Sequence, residues 1–138
     1  MATTLVDTNV LVYAAGGDGD ETRQRAAIAL LRERRAQGVL AIQVLAEYAS
    51  VMLRKGRAAG AVRDEVAVLG AAWPVLRPDT KTVVLALAAS SAHHLSFSDA
   101  MIWAIAKQNG VTAILSEDGP TGATIEGVLF ESPWASST

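Results

Sequence analysis

Apolar and polar positions along the chain change period several times, and each change marks an element. Thr3 to Val6 is a short, apolar, β-branched run that reads as a buried strand and stops at Asp7-Thr8-Asn9. Val10 to Ala14 predicts a short helix ahead of the flexible stretch Gly16-Gly17-Asp18-Gly19. From Glu21 to Gln37, strong helix formers place Ala27, Ile28, Leu31 and Ala36 on one side, with Gly38 as the stop. Val39 to Ile42 predicts a second strand. Beyond it Val44, Leu45, Tyr48, Val51 and Met52 recur at helical spacing as far as Gly56.

The alternation continues. A helix over Ala61 to Ala72 carries Val62, Val66 and Leu69 as its stripe, Trp73-Pro74 breaks it, and Val75-Leu76-Arg77 reads as a strand. Asp79 is the expected N-cap of a helix from Thr80 to Ala92, and Ser98 that of a helix ending before Gly110. Val111 to Leu115 predicts a strand, Ser116-Glu117-Asp118-Gly119-Pro120 a turn, and Val128 to Phe130 a last strand. Strand and helix in turn imply a three-layer α/β/α fold with a mostly parallel sheet, whose ligands bind beyond the carboxyl ends of the strands. With 138 residues and 51% hydrophobic content, one domain over residues 1–134 can bury a core, leaving 135–138 as a frayed tail.

Composition narrows the chemistry. Cysteine is absent, which removes disulfides and thiolate zinc sites. The start has no basic stretch followed by an apolar one, and the uncharged run between Lys81 and Asp99 is interrupted by Ser90-Ser91-Ala92-His93-His94. A cytoplasmic protein away from membranes is expected. His93 and His94 are adjacent and so diverge on a helix, which makes a solvated helix end the better reading than a zinc site. Neither a Gly-x-x-x-x-Gly-Lys-Ser/Thr loop nor a strand-borne Gly-x-Gly-x-x-Gly is present to cradle a nucleotide cofactor.

A net charge of -2 conceals a segregation: Arg23, Arg25, Arg32, Arg34, Arg35, Arg54, Lys55, Arg57 and Arg63 face only Glu33 and Glu47 in the same stretch. Such a block suits contact with a polyanion, with Arg54, Lys55 and Arg57 as candidate phosphate-contacting residues, or it solvates outward helix faces.

The acids fall at the predicted edge of the sheet. Asp7 and Asp118 follow short apolar strands, Asp99 opens a helix, and Glu47 shares a helical ridge with Val44 and Val51, which draws it toward the packed side. Each alone is explained by a cap, a turn or a solvated helix edge. Together in partial burial they would repel one another, and magnesium or manganese is the hard cation that such oxygens hold. A bound ion of this kind supports attack of water on a phosphodiester.

Four segments then resemble the PIN domain, especially the small bacterial PIN toxins of type II toxin-antitoxin pairs (the VapC type). They are Leu5-Val6-Asp7-Thr8-Asn9-Val10-Leu11, Val44-Leu45-Ala46-Glu47, Leu95-Ser96-Phe97-Ser98-Asp99-Ala100 and Leu115-Ser116-Glu117-Asp118, with Val128 to Trp134 closing the pattern. The resemblance implies a five-stranded parallel sheet, a homodimer and metal-dependent RNA cleavage. It makes Asp7, Glu47, Asp99 and Asp118 the catalytic quartet, with Asp7, Asp99 and Asp118 on the metal and Asn9 and Ser116 as supporting polar residues. It also implies a cognate antitoxin that sets a segment, with an Arg, against the quartet. Ser98 stands where many relatives carry a large aromatic, a departure that bears on substrate fit. Two other classes fit parts of the pattern. One is a catalytically silent PIN-like interaction module. The other is an aspartate-based phosphotransfer domain, which would want a second Asp where Asn9 stands.

Overall fold

The first strand, β1 (Thr4–Val6), is buried along its whole length, as a short β-branched and apolar strand at the centre of a parallel sheet must be, with the Thr4 hydroxyl accepting from Arg34. The computed structural model describes residues 3–134, so the predicted tail at 135–138 lies outside the described residues. The elements that follow are α1 (Thr8–Ala14), α2 (Glu21–Arg34), β2 (Gly38–Ala41), α3 (Ile42–Arg54), α4 (Ala59–Ala72), β3 (Val75–Leu76), α5 (Thr80–His93), α6 (Phe97–Gln108), β4 (Ala113–Leu115), β5 (Thr124–Ile125) and β6 (Val128–Glu131).

They form one sheet in the order β3-β2-β1-β4-β6-β5. Every pairing is parallel except the β5–β6 hairpin. The expected sheet thus gains a sixth strand. Two residues, Thr124 and Ile125, are too few to show a period, and what makes them a strand is the tight Glu126-Gly127 turn, with φ of 47° and 86°. Helices α1 to α4 pack on one another, while α5 packs on α6 and α6 lies on β4 and β6, giving the α/β/α layering. Trp103, Tyr48, Phe130, Leu5, Leu40 and Met52 are among the largest fully buried side chains between the layers.

The helix stripes on α3 and α4 fall as their spacing predicts, and Asp79 caps α5 through a reciprocal bond with Thr82. Other boundaries shift. The second helix stops at Arg34 and leaves Ala36 exposed in a turn. Gly38 does not end that helix: it is a buried residue of β2, and a Cβ there would stand 2.1 Å from Cζ3 of Trp73. Close approach, not helix termination, demands this glycine. The α6 N-cap is Ser96 rather than Ser98, with the Ser96 hydroxyl accepting from the Asp99 amide at 3.1 Å.

Candidate active site

Register places two strand ends side by side. Val6 of β1 is opposite Leu115 of β4, and the Asp7 amide donates to the Leu115 carbonyl at 3.0 Å, so Asp7 and Ser116 leave the sheet together at its carboxyl edge. Asp7 caps α1, with Oδ1 accepting from the Thr8 amide at 2.8 Å. Its Oδ2 accepts from the Ser116 hydroxyl, also at 2.8 Å. Ser116 is buried, and its oxygen in turn accepts from the Asp118 amide at 3.2 Å and from Asn9 Nδ2 at 3.4 Å. Asn9 completes the stitch: Nδ2 also donates to Asp118 Oδ2 at 3.2 Å, and Oδ1 accepts from the Glu117 amide at 3.2 Å.

The remaining acids arrive from two helices. Glu47, on α3, accepts through Oε2 from the Thr8 hydroxyl at 3.1 Å. Of the ridge it shares with Val44 and Val51, Val44 is buried in the core, whereas Val51 and Glu47 line a cavity, where the Glu47 side chain is exposed. Asp99 occupies the first turn of α6 under the Ser96 cap. Asp7, Glu47, Asp99 and Asp118 all line this single cavity of about 600 Å³, joined at its wall by Asp18, Glu117 and, as the lone cation among the described lining residues, Lys55.

Two of these acids, Asp7 and Asp99, have raised carboxyls, chiefly through burial. Burial pushes the Asp7 carboxyl above its ordinary range, and Glu47 and Asp99 push it further, against the opposing bonds from Thr8 and Ser116. Asp99 is raised too, first by burial, with Asp118 and Glu47 adding to it and Ser96 opposing. Among the described residues no three of these groups are packed into a ready-made cage for an ion. Magnesium keeps several waters and is bound through one or two carboxylates together with substrate phosphate, so it needs no such cage. The donor set, carboxylate oxygens of Asp7, Asp99 and Asp118 on the wall of one roomy cavity, fits such an ion.

The family model of the PIN domain matches residues 4–119, which takes in all four acids. The chain belongs to the PIN-domain family. No curated protein matches it significantly by sequence. In fold this PIN domain is similar to VapC20 of Mycobacterium tuberculosis, a sarcin-ricin loop cleaving toxin. The TM-score is 0.68 at 20% identity, over 86% of this chain and 92% of that one. A toxin-antitoxin complex from Klebsiella pneumoniae superposes with a TM-score of 0.72 at 17% identity, over 96% and 98% of the two chains. VapBC2 from Rickettsia felis, bound to a DNA fragment from their promoter, gives 0.68 at 13% identity, over 96% and 99%.

The basic candidates separate in this PIN domain. Lys55 Nζ donates to Asp18 Oδ1 at 2.7 Å on the cavity wall. Arg57 points elsewhere, donating to Glu65 Oε2 at 2.6 Å and to the Ala15 carbonyl at 3.1 Å. There it borders a second, apolar groove of about 520 Å³ that includes Leu11, Leu31, Tyr48 and Val68. Tyr48 donates to Glu65 at 2.8 Å, and burial pushes its phenol well above the ordinary value. Arg54 is exposed at the end of α3.

Thr8, Ser96, Asp18 and Glu117 are site neighbours that the sequence did not single out. For Thr8 a signal exists, a hydroxyl residue at the buried start of an apolar helix. Glu117 turns from the quartet: its Oε1 accepts from Arg23 at 2.9 Å, Tyr13 at 3.1 Å and Trp134 at 3.3 Å. His93 meets Glu126 at 3.2 Å, and His94 ends α5 in the left-handed region with φ of 55°.

Proposed function

We propose that this PIN domain is a divalent-metal-dependent endoribonuclease that acts in the cytoplasm as the toxin of a toxin-antitoxin pair. The observation that carries the reading is the convergence of Asp7, Glu47, Asp99 and Asp118, from four separate segments, on one cavity at the carboxyl edge of a parallel sheet. Asp7, Asp99 and Asp118 would hold magnesium or manganese. When bound, such an ion activates water and stabilises charge at the phosphoryl group. Glu47, fixed through Oε2 by Thr8, keeps Oε1 to accept a proton from the attacking water. Asn9 and Ser116 hold the Asp118 loop in register with Asp7.

Partners follow from the surfaces. No described helix is long and apolar enough to cross a membrane. The apolar groove bordered by Arg57 suits the apolar side of an antitoxin segment, and an Arg of that segment set against the acidic cavity would close it with charge-assisted bonds. On α5, Val84 and Leu87 are 62% and 56% exposed about one turn apart, a face suited to a second copy of the chain in a homodimer.

The deciding experiment incubates the purified protein with structured RNAs plus magnesium, manganese or EDTA. Cleavage with either metal and none with EDTA is expected. Asp99→Asn should lower the rate by more than about 100-fold, beyond what loss of a mere supporting partner of a ligand costs. Cleavage in EDTA, or none with any RNA, refutes the reading.

A further inference from the structure

Six acidic residues line the cavity, Glu117 with its carboxylate turned to Arg23, and among the described lining residues one is a cation, Lys55. Lys55 follows the last turn of α3 as its C-cap, where its amide donates to the Val51 carbonyl at 3.1 Å. Its ammonium is held by Asp18, from the loop between α1 and α2. That loop is pressed into place. The Gly17 amide donates to the Val12 carbonyl at 2.9 Å, and a Cβ on Gly17 would stand 2.7 Å from Val12 Cγ1 and 3.0 Å from Met52 Sδ. Asp18 is therefore carried at the wall of the cavity by close backbone packing on α1 and α3.

The Lys55–Asp18 pair is 37% and 35% exposed, so water screens it and it contributes little to folding. What it does is occupy the one ammonium beside the acids. We propose that Lys55 is a substrate-phosphate anchor for the strand being cut, and that Asp18 is its competing internal acceptor, released when a backbone phosphate takes its place. The proposal rests on the nuclease reading of the cavity. A lysine binds phosphate as a point charge and needs no fixed fork, so exchange of carboxylate for phosphate requires only rotation of a flexible side chain. The two partners then have opposite roles. Lys55 raises affinity for RNA, and Asp18 lowers it by holding Lys55.

The test measures binding of a fluorescein-labelled single-stranded RNA by anisotropy, in magnesium and across a salt series, in the non-cleaving Asp99→Asn background. Lys55→Met should weaken binding about tenfold and reduce the salt slope by roughly 0.7, the loss of one phosphate contact on a single strand. Asp18→Asn should tighten binding about threefold, and Lys55→Arg should retain it. In Lys55→Met the Asp18→Asn gain should vanish, because pairwise coupling disappears with the partner. If Asp18→Asn tightens binding equally with and without Lys55, the effect is general charge and the anchor is refuted. Weaker binding in both single variants makes the pair a loop fastener and also refutes it. Opposed shifts in a protein whose unmutated form cleaves no RNA keep the anchor and remove the nuclease, whereas no RNA binding by the Asp99→Asn protein removes the anchor even if the unmutated form cleaves.

Discussion

Asp7 holds two donors at once, the Thr8 amide on one oxygen and the Ser116 hydroxyl on the other, and so serves as a helix cap and as the floor of the acidic cavity. The two roles separate by substitution. Asn caps as well as Asp, so Asp7→Asn keeps the cap and removes the charge. The folded carboxyl titrates above its ordinary value of 3.8, chiefly through burial. Between that value and the folded one, the folded state holds a proton that the unfolded state has released, so this group makes stability fall as pH rises. Without metal, the two proteins should therefore be close in stability below pH 3.8, with the variant about 1 kcal/mol more stable at neutral pH. Asp99 acts in the same direction. Urea unfolding in EDTA at the two pH values reads this. A variant that is less stable at pH 7 would show that the charge itself supports the fold, and millimolar magnesium should stabilise the original protein more than the variant.

At the scale of elements, short polar segments decide where each acid points. The α6 cap is the clearest case, since Ser96 and Ser98 both precede an apolar helix and the sequence pattern favoured the later one. Leu95 is buried and Phe97 starts the helix, which leaves Ser96 at the turn with its hydroxyl on the Asp99 amide. Ser96→Ala should cost about 1 kcal/mol in urea unfolding, whereas Ser98→Ala should change stability by less than about 0.5 kcal/mol. Equal losses would place the cap at neither residue alone. The same logic explains why Glu47 is exposed although its ridge is apolar. Helical spacing ranks positions on one helix, but only the placement of α1, which brings Thr8 to it, determines that this edge borders a cavity.

At the scale of the whole molecule, folding brings part of the basic block onto acids from elsewhere in the chain. Arg23, Arg34, Lys55, Arg57 and Arg63 of the basic block each meet an acid, most of them distant in sequence, and Arg35 stacks over Trp73 at 5.1 Å. Apolar surface is distributed by the same process, and it leaves Val84 and Leu87 outward on α5. Leu87→Glu should convert a homodimer to a monomer in sedimentation experiments without lowering the melting temperature of the monomer. An unmutated protein that sediments as a monomer would remove that interface. By itself the sequence determined the strands and helices whose period spans several residues, the α/β order, and the local setting of each acid, Asp7 after a strand, Asp99 in a first helical turn, Glu47 within a helix and Asp118 in a turn, because these depend on neighbours along the chain. Tertiary structure alone decided the sixth strand, the closeness of Gly38 to Trp73, the Ser116 hub and the pairing of Lys55 with Asp18. Gly38 and Trp73, Ser116 and Asp7, and Lys55 and Asp18 are pairs far apart in sequence, and the two residues of β5 become a strand only by pairing with β6 across a tight turn, which no period along the chain encodes.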